Sequence, residues 1–104
     1  MTEHDRIANL VRRTVGFDWD SGNRDKSFIK HGVSDTEAEE PFFNAPLVFS
    51  AARNEKEERF SVHGKTDLGR ELFVVFTIRK ELIRVISARP MHKIERQAYH
   101  EQGH

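Results

Sequence analysis

No cysteine occurs among these 104 residues. Disulfide scaffolds, thiolate metal sites and thiol nucleophiles are therefore all excluded. No apolar stretch approaches the roughly 18 residues that a membrane-spanning helix needs. Met1–Gly16 carries several charges and lacks the apolar run of about seven that marks a signal peptide, so the expected compartment is the cytoplasm. Gly-x-Ser-x-Gly, P-loop and dinucleotide-binding patterns are missing, and no cofactor is expected. There are no repeats and no low-complexity segment. Net charge is missing as well, because 17 basic and 17 acidic side chains cancel. That balance argues against a non-specific nucleic-acid binder.

The charge is nevertheless unevenly spread. Residues 1–58 hold 8 basic and 12 acidic side chains, whereas residues 59–104 hold 9 basic and 5 acidic. A C-terminal half with a net of +4 can attract phosphate, unless the two halves neutralise each other in the fold. This half also contains the most apolar stretch. Leu72–Arg79 and Leu82–Arg89 are rich in β-branched and aromatic residues and flank Lys80-Glu81. They read as a β-hairpin, although Lys-Glu is not the Asn-Gly or Gly-X pair that a two-residue turn favours. With that turn Arg79 faces Leu82, Thr77 faces Arg84 and Val75 faces Ile86. Both faces of the ribbon are then largely apolar, which predicts strands covered on both sides.

Ile7, Leu10, Val11 and Val15 recur at helical spacing, so Met1–Val15 is an amphipathic segment that is helical if it docks. Asp20 or Ser21 can cap a surface helix running to about His31, with Gly32 suited to the left-handed position after it. Ser34-Asp35-Thr36-Glu37 fits a capping box, and Pro41 stops or kinks the helix it opens. Phe42 and Phe43 are expected to pack on the sheet. Leu47–Ala51 and Glu58–His63 read as two further strands joined by the charged loop Ala52–Glu57. Gly64–Arg70 is a turn. Pro90 suits the start of a closing helix, with Met91, Ile94, Ala98 and Tyr99 as its buried stripe. The expected fold is α+β: N-terminal helices, a four-stranded antiparallel meander and a C-terminal helix.

Several segments together carry a resemblance: Trp19-Asp20, Lys30-His31-Gly32-Val33, Glu37-Ala38, Phe42-Phe43-Asn44, Glu58-Arg59-Phe60, Gly64-Lys65-Thr66, Gly69-Arg70, Phe73–Thr77, Ile83–Arg89 and Glu95-Arg96-x-x-Tyr99. In this order and spacing they resemble the BrnT family of type II toxin–antitoxin toxins, over roughly Phe17–Tyr99. The resemblance implies a RelE-like fold and a metal-independent ribonuclease that blocks translation and growth, in some cases at the ribosome. It also implies neutralisation by a ribbon-helix-helix antitoxin, through which alone the pair would touch DNA. Residues 1–16 then form an N-terminal extension, amphipathic or partly disordered, before a toxin-like domain over 17–104. Ser27 stands where the family commonly has Asn, and Pro41 interrupts a helix usually unbroken. The alternative is a non-catalytic relative that binds RNA or protein.

Metal-independent RNA cleavage needs a base for the ribose 2′-hydroxyl, cations for the phosphorane and an acid for the leaving 5′-oxygen. Lys30-His31 can supply a phosphate contact and a group titrating near neutrality; the bland reading is a helix-terminal His on the dipole. Glu58 can act as base or orient an arginine, and Arg59 can hold phosphate, unless the two are an edge ion pair. Arg84 and Arg89 are catalytic candidates because guanidinium inside an apolar strand needs a partner and suits bidentate phosphate binding. A bridge from Arg84 to Glu58 or Glu37 is its structural alternative. Candidate RNA contacts are Lys65, Arg70, Arg79 and Trp19, the last by stacking, although a lone Trp before a helix is more often core. His63 and Tyr99 read as packing residues. His100 and His104, four apart, could share a metal on a helix, but Gly103 and the chain end argue against it, and no metal site is expected.

Overall fold

A computed structural model describes residues 2–52 and 56–102. Helix α1 spans Glu3–Arg12 and strand β1 Gly16–Phe17. Two short helices follow, α2 over Lys26–His31 and α3 over Asp35–Glu39, then a 3₁₀ turn at Glu40–Phe43. Strands β2 (Val48–Ala52), β3 (Arg59–Lys65), β4 (Glu71–Arg79) and β5 (Leu82–Pro90) precede helix α4 (Lys93–Glu101). No described helix is long and apolar enough to cross a membrane. The sheet order is β1-β5-β4-β3-β2, antiparallel except for β1, which lies parallel to β5. The α+β expectation holds, but the sheet has five strands rather than four. Two residues of β1 are too few to leave an alternation in the sequence.

That fifth strand begins a continuous seal along the outer edge of β5. The Val15 N–H donates to the Glu81 carbonyl and the Asp18 N–H to the Ile83 carbonyl, each at 2.8 Å. Beyond them the Asn23 amide donates to the Val85 carbonyl at 3.0 Å, and the Ala88 N–H donates to Ser27 Oγ at 2.9 Å. Both side chains are buried. An edge that would otherwise invite another strand is thus closed by the chain's own segment 15–27. Ser27, flagged as a departure from the family, serves here as a hydroxyl cap on β5.

The hairpin turns at Lys80-Glu81 as expected, with both residues left-handed at φ 51° and 63°. Neither is the Asn or Gly that this turn normally recruits. Arg79 pairs with Leu82 and Thr77 with Arg84, but a bulge between Val75 and Phe76 moves Val75 opposite Ser87 instead of Ile86. The bulge inserts Ile86 and switches which later residues face the core. Ala88 joins the buried face, and Ser87 and Arg89 join the other. The expectation of two covered faces is corrected accordingly. Leu72, Val74, Phe76, Val85 and Ala88 are at most 2 % exposed, whereas Phe73, Val75, Ile86, Ser87 and Arg89 are only half-buried.

The buried face packs against Ile7 of α1, Val33, Ala38 of α3, and the partly buried Phe17, Trp19, Phe42 and Leu47. A Thr2–Asp5 capping box starts α1, and burial of Ile7 provides the docking that a ten-residue helix needs. Helix α2 starts later than expected, at Lys26 after a left-handed Asp25, and ends at a left-handed Gly32. Phe28 and Ile29 both point outward from it. The Ser34–Glu37 capping box forms as read. Pro41 ends α3 by tightening the chain into the 3₁₀ turn, and it is buried against Gly64, where a Cβ would approach Pro41 Cβ to 3.0 Å. Phe42 packs edge-on to Phe76, but Phe43 is 76 % exposed.

Helix α4 lies across one end of the opposite, open face. Met91 and Tyr99 are buried as expected, but Ile94 and Ala98 are exposed, because α4 meets the sheet only along its Glu95–Tyr99 side. Pro90 closes β5, and His92 caps α4 instead. Residues 53–55 of the Ala52–Glu57 loop, and His104 of the His100–His104 pair, lie outside the described residues.

Candidate active site

The register arranges the open face in rows. His63, Phe73 and Arg89 are cross-strand neighbours; so are Ser61, Val75 and Ser87, and Thr77 pairs with Arg84 beside Arg59. Residue alternation along β3 puts Arg59, Ser61 and His63 on this side together. Arg89 belongs to it only because of the bulge. Seven polar side chains, Arg59, Ser61, His63, Thr77, Arg84, Ser87 and Arg89, therefore surround an apolar strip of Phe73, Val75 and Ile86.

At one end Arg89 forms a two-pronged pair with Glu95 of α4, at 2.7 and 2.9 Å, and its guanidinium lies 4.4 Å from the Phe73 ring centre. Such a fork is both strong and directional. The hydrogen bonds from Arg89, more than any other influence, hold the Glu95 carboxyl down at about 2, against the opposing effect of burial. His63 shares this cluster. Its Nε2 is 3.7 Å from Glu95 Oε2, and its ring centre is 4.9 Å from that of Phe73. Nε2 is buried and has no hydrogen-bond partner. Burial pushes the imidazole below its ordinary value, and Arg89 adds to this while Glu95 opposes it. The imidazole is thus neutral at neutral pH.

At the other end Arg84, 14 % exposed, donates to both Asp20 oxygens at 2.9 and 3.0 Å and lies 3.4 Å from Asp18. The Asp20 hydrogen bonds raise Arg84 and lower Asp20 from their ordinary values. The partner of Arg84 is the 18–20 segment, not Glu58 or Glu37. Gly22 permits this contact, since a Cβ there would come within 2.8 Å of the Arg84 guanidinium. Arg59 is different. Among the described residues its guanidinium makes no hydrogen bond and no ion pair, and its Nε is buried without a partner.

The remaining candidates stand elsewhere. Glu58 pairs with Arg6 of α1 at 2.8 Å rather than with Arg59. Arg79 pairs with Glu57 at 3.0 Å at the exposed hairpin end. Arg70 donates to Glu37 and to the Gly32 carbonyl. Lys65 lies over the Tyr99 ring at 5.9 Å. Trp19 packs on the core and donates to Glu39 at 2.7 Å. Among the described residues no hydrogen bond or ion pair joins Lys30 or His31 to the open face. No described group of three His, Asp or Glu side chains could hold a metal.

Sequence reasoning read His63 as a packing residue and gave Glu95 no role beyond its motif. The signal for His63 was its place two and four residues along one strand face from Ser61 and Arg59. Glu95 was within the Glu95-Arg96-x-x-Tyr99 motif, six residues beyond Arg89. Together these groups offer fixed cations, one unpaired guanidinium and one neutral imidazole on a shallow, partly apolar surface. A family described as "Ribonuclease toxin, BrnT, of type II toxin-antitoxin system" matches residues 19–95, about three-quarters of the chain. No curated protein matches it.

Proposed function

The chain belongs to the BrnT family of ribonuclease toxins of type II toxin–antitoxin systems, and we propose that it cuts RNA on the open face of its sheet. RNA and a cognate antitoxin are its partners by virtue of that membership. One observation carries the choice of surface: alternation and the β5 bulge gather Arg59, Arg84 and Arg89 on one side, with Arg59 lacking any carboxylate among the described residues. An unpaired guanidinium beside apolar surface has much to gain from a phosphate. Arg84 and Arg89 are already held by carboxylates, so their geometry is fixed before RNA arrives.

In this reading Arg89 contacts the scissile phosphate, and Arg59 and Arg84, at the other end of the face, hold a neighbouring phosphate of the same strand. The 2′-oxygen attacks phosphorus, the cations stabilise the phosphorane, and the 5′-oxygen leaves. Cleavage runs on side chains alone and is insensitive to a chelator. The outcome is loss of translation and growth, relieved by a ribbon-helix-helix antitoxin that covers this face. Lys30, His31 and Glu58 have no contact that ties them to this step, and the reading does not rest on them.

The test is induction of this chain alone, beside a folded Arg59→Gln variant. Growth arrest with fragmented RNA in the wild type, and at least a tenfold slower loss of intact RNA in the variant, is the expected result. Equal RNA loss in both would move the site off this face. Intact RNA with soluble wild-type protein would favour a non-catalytic binding relative.

A further inference from the structure

Among the side chains of the open face, His63 is the one neutral group able to accept a proton, and its surroundings are those of a positioned base. The imidazole borders a groove of about 260 Å³ between β2 and α4, whose walls include Val48, Ser50, Ile94, Ala98 and Glu95. The groove opens beside Arg89, because Glu95 both lines it and grips that arginine. A ribose whose phosphate rests on Arg89 can therefore reach His63 through this opening.

Resting on the reading of the open face as the RNA site, we propose that His63 is the general base of cleavage and that Glu95 positions it. Nε2–H faces the Glu95 carboxylate, which leaves Nδ1 to receive the 2′-hydroxyl proton. The 2′-oxygen forms its bond to phosphorus while the bond from phosphorus to the 5′-oxygen breaks. The products are a 2′,3′-cyclic phosphate and a 5′-hydroxyl whose proton comes from water. Glu95 itself is no base, because Arg89 keeps it ionised and weakly basic. It stabilises the imidazolium once formed, as a carboxylate does behind a catalytic histidine. At 3.7 Å, Nε2 stands just outside hydrogen-bond distance of Glu95, and the carboxylate acts on the imidazolium by charge across that gap.

The charged groups around the ring are few. Glu95 approaches from α4 and Arg89 from β5; Phe73 of β4 and Val48 of β2 flank it without charge, and the Tyr99 phenol, raised by burial, stays neutral. Depressed by burial, His63 should set an acid limb below the ordinary imidazole range.

The experiment uses the full chain and a short single-stranded RNA, with kcat and KM measured between about pH 5 and 9. For wild type, kcat/KM, which reports the ionisations of the free protein, should fall on the acid side of a single ionisation. NMR titration of the His63 ring should give the same value. His63→Gln should lower kcat by about 10²–10⁴-fold with little change in KM, and should abolish that limb. Glu95→Gln should slow cleavage less and displace the limb rather than remove it.

A His63→Gln protein that cleaves near the wild-type rate with an unchanged limb overturns the proposal. If Arg59→Gln and Arg89→Gln still impair cleavage in that case, the open-face reading stands and only the base is wrong. If none of the three variants affects cleavage, the site itself is elsewhere. A folding defect in His63→Gln is recognised by its circular dichroism, and the NMR value compared with the wild-type limb then decides.

Discussion

Phe73 and Phe76 stand three residues apart on β4 and belong to different surfaces. Phe76 is fully buried, with Phe42, Phe49 and Phe60 within 6.3 Å of its ring centre. Phe73 is half-buried, and its neighbours are a guanidinium at 4.4 Å and an imidazole at 4.9 Å. One ring excludes water from a core; the other is a platform against which two charged or chargeable groups rest. Apolar residues thus do two jobs in this strand, and burial alone distinguishes them. The open face retains Phe73, Val75 and Ile86 because fixed, partly dehydrated arginines need a surface of low polarity beneath them.

The comparison breaks most visibly under truncation. Phe76→Ala should cost about 3–5 kcal/mol, the range for a core aromatic that leaves a cavity, and can unfold a domain this small. Phe73→Ala should cost far less in denaturant unfolding, about 1 kcal/mol, since part of its ring is already wet. Its larger effect should fall on RNA cleavage, because Arg89 and His63 lose their shared support. Equal destabilisation by the two changes would erase the distinction between the faces.

Acid sharpens the contrast, with a smaller effect. The folded His63 has a depressed value, so below about pH 6.5 the unfolded chain binds its proton first. Stability should therefore decline as pH falls from there, until the folded imidazole is itself protonated. Glu95 acts lower down. Its contribution is complete above the ordinary value of 4.5 and is lost as pH falls toward about 2. Urea midpoints measured against pH should show both stages in wild type. His63→Gln should lack the upper one, and Glu95→Gln should shrink the lower one, to which Asp20 and Glu37, also held below their ordinary values, still contribute. A core-face variant such as Ile83→Val should shift the whole curve without changing its shape.

Much of the fold was legible from local chemistry. The Ser34–Glu37 box, Gly32, the break at Pro41 and the Lys80-Glu81 turn each depend on residues close in sequence. Features set by distant partners were not. Strand β1 exists because β5 needed an edge partner, and Asn23 and Ser27 are buried because carbonyl and amide groups of β5 required them. The bulge was invisible for the same reason, and it decides the site. A strict two-residue alternation sends Arg89 to the core face with Val85, whereas one inserted residue turns it toward His63 and Glu95. The outward Ile94 and Ala98 follow from the angle at which α4 docks, which helical spacing alone does not specify.

The central claim is that RNA lies on the open face, and mapping a non-cleavable ligand tests it most directly. A short RNA with 2′-O-methyl sugars, which lack the attacking hydroxyl, should be titrated into the ¹⁵N-labelled chain and followed by amide and side-chain shifts. The account predicts changes at Arg59, His63, Val75, Ser87 and Arg89 that weaken as salt rises, as phosphate contacts must. Changes confined instead to Lys30, His31 and the 66–70 turn, with the open face silent, would contradict it.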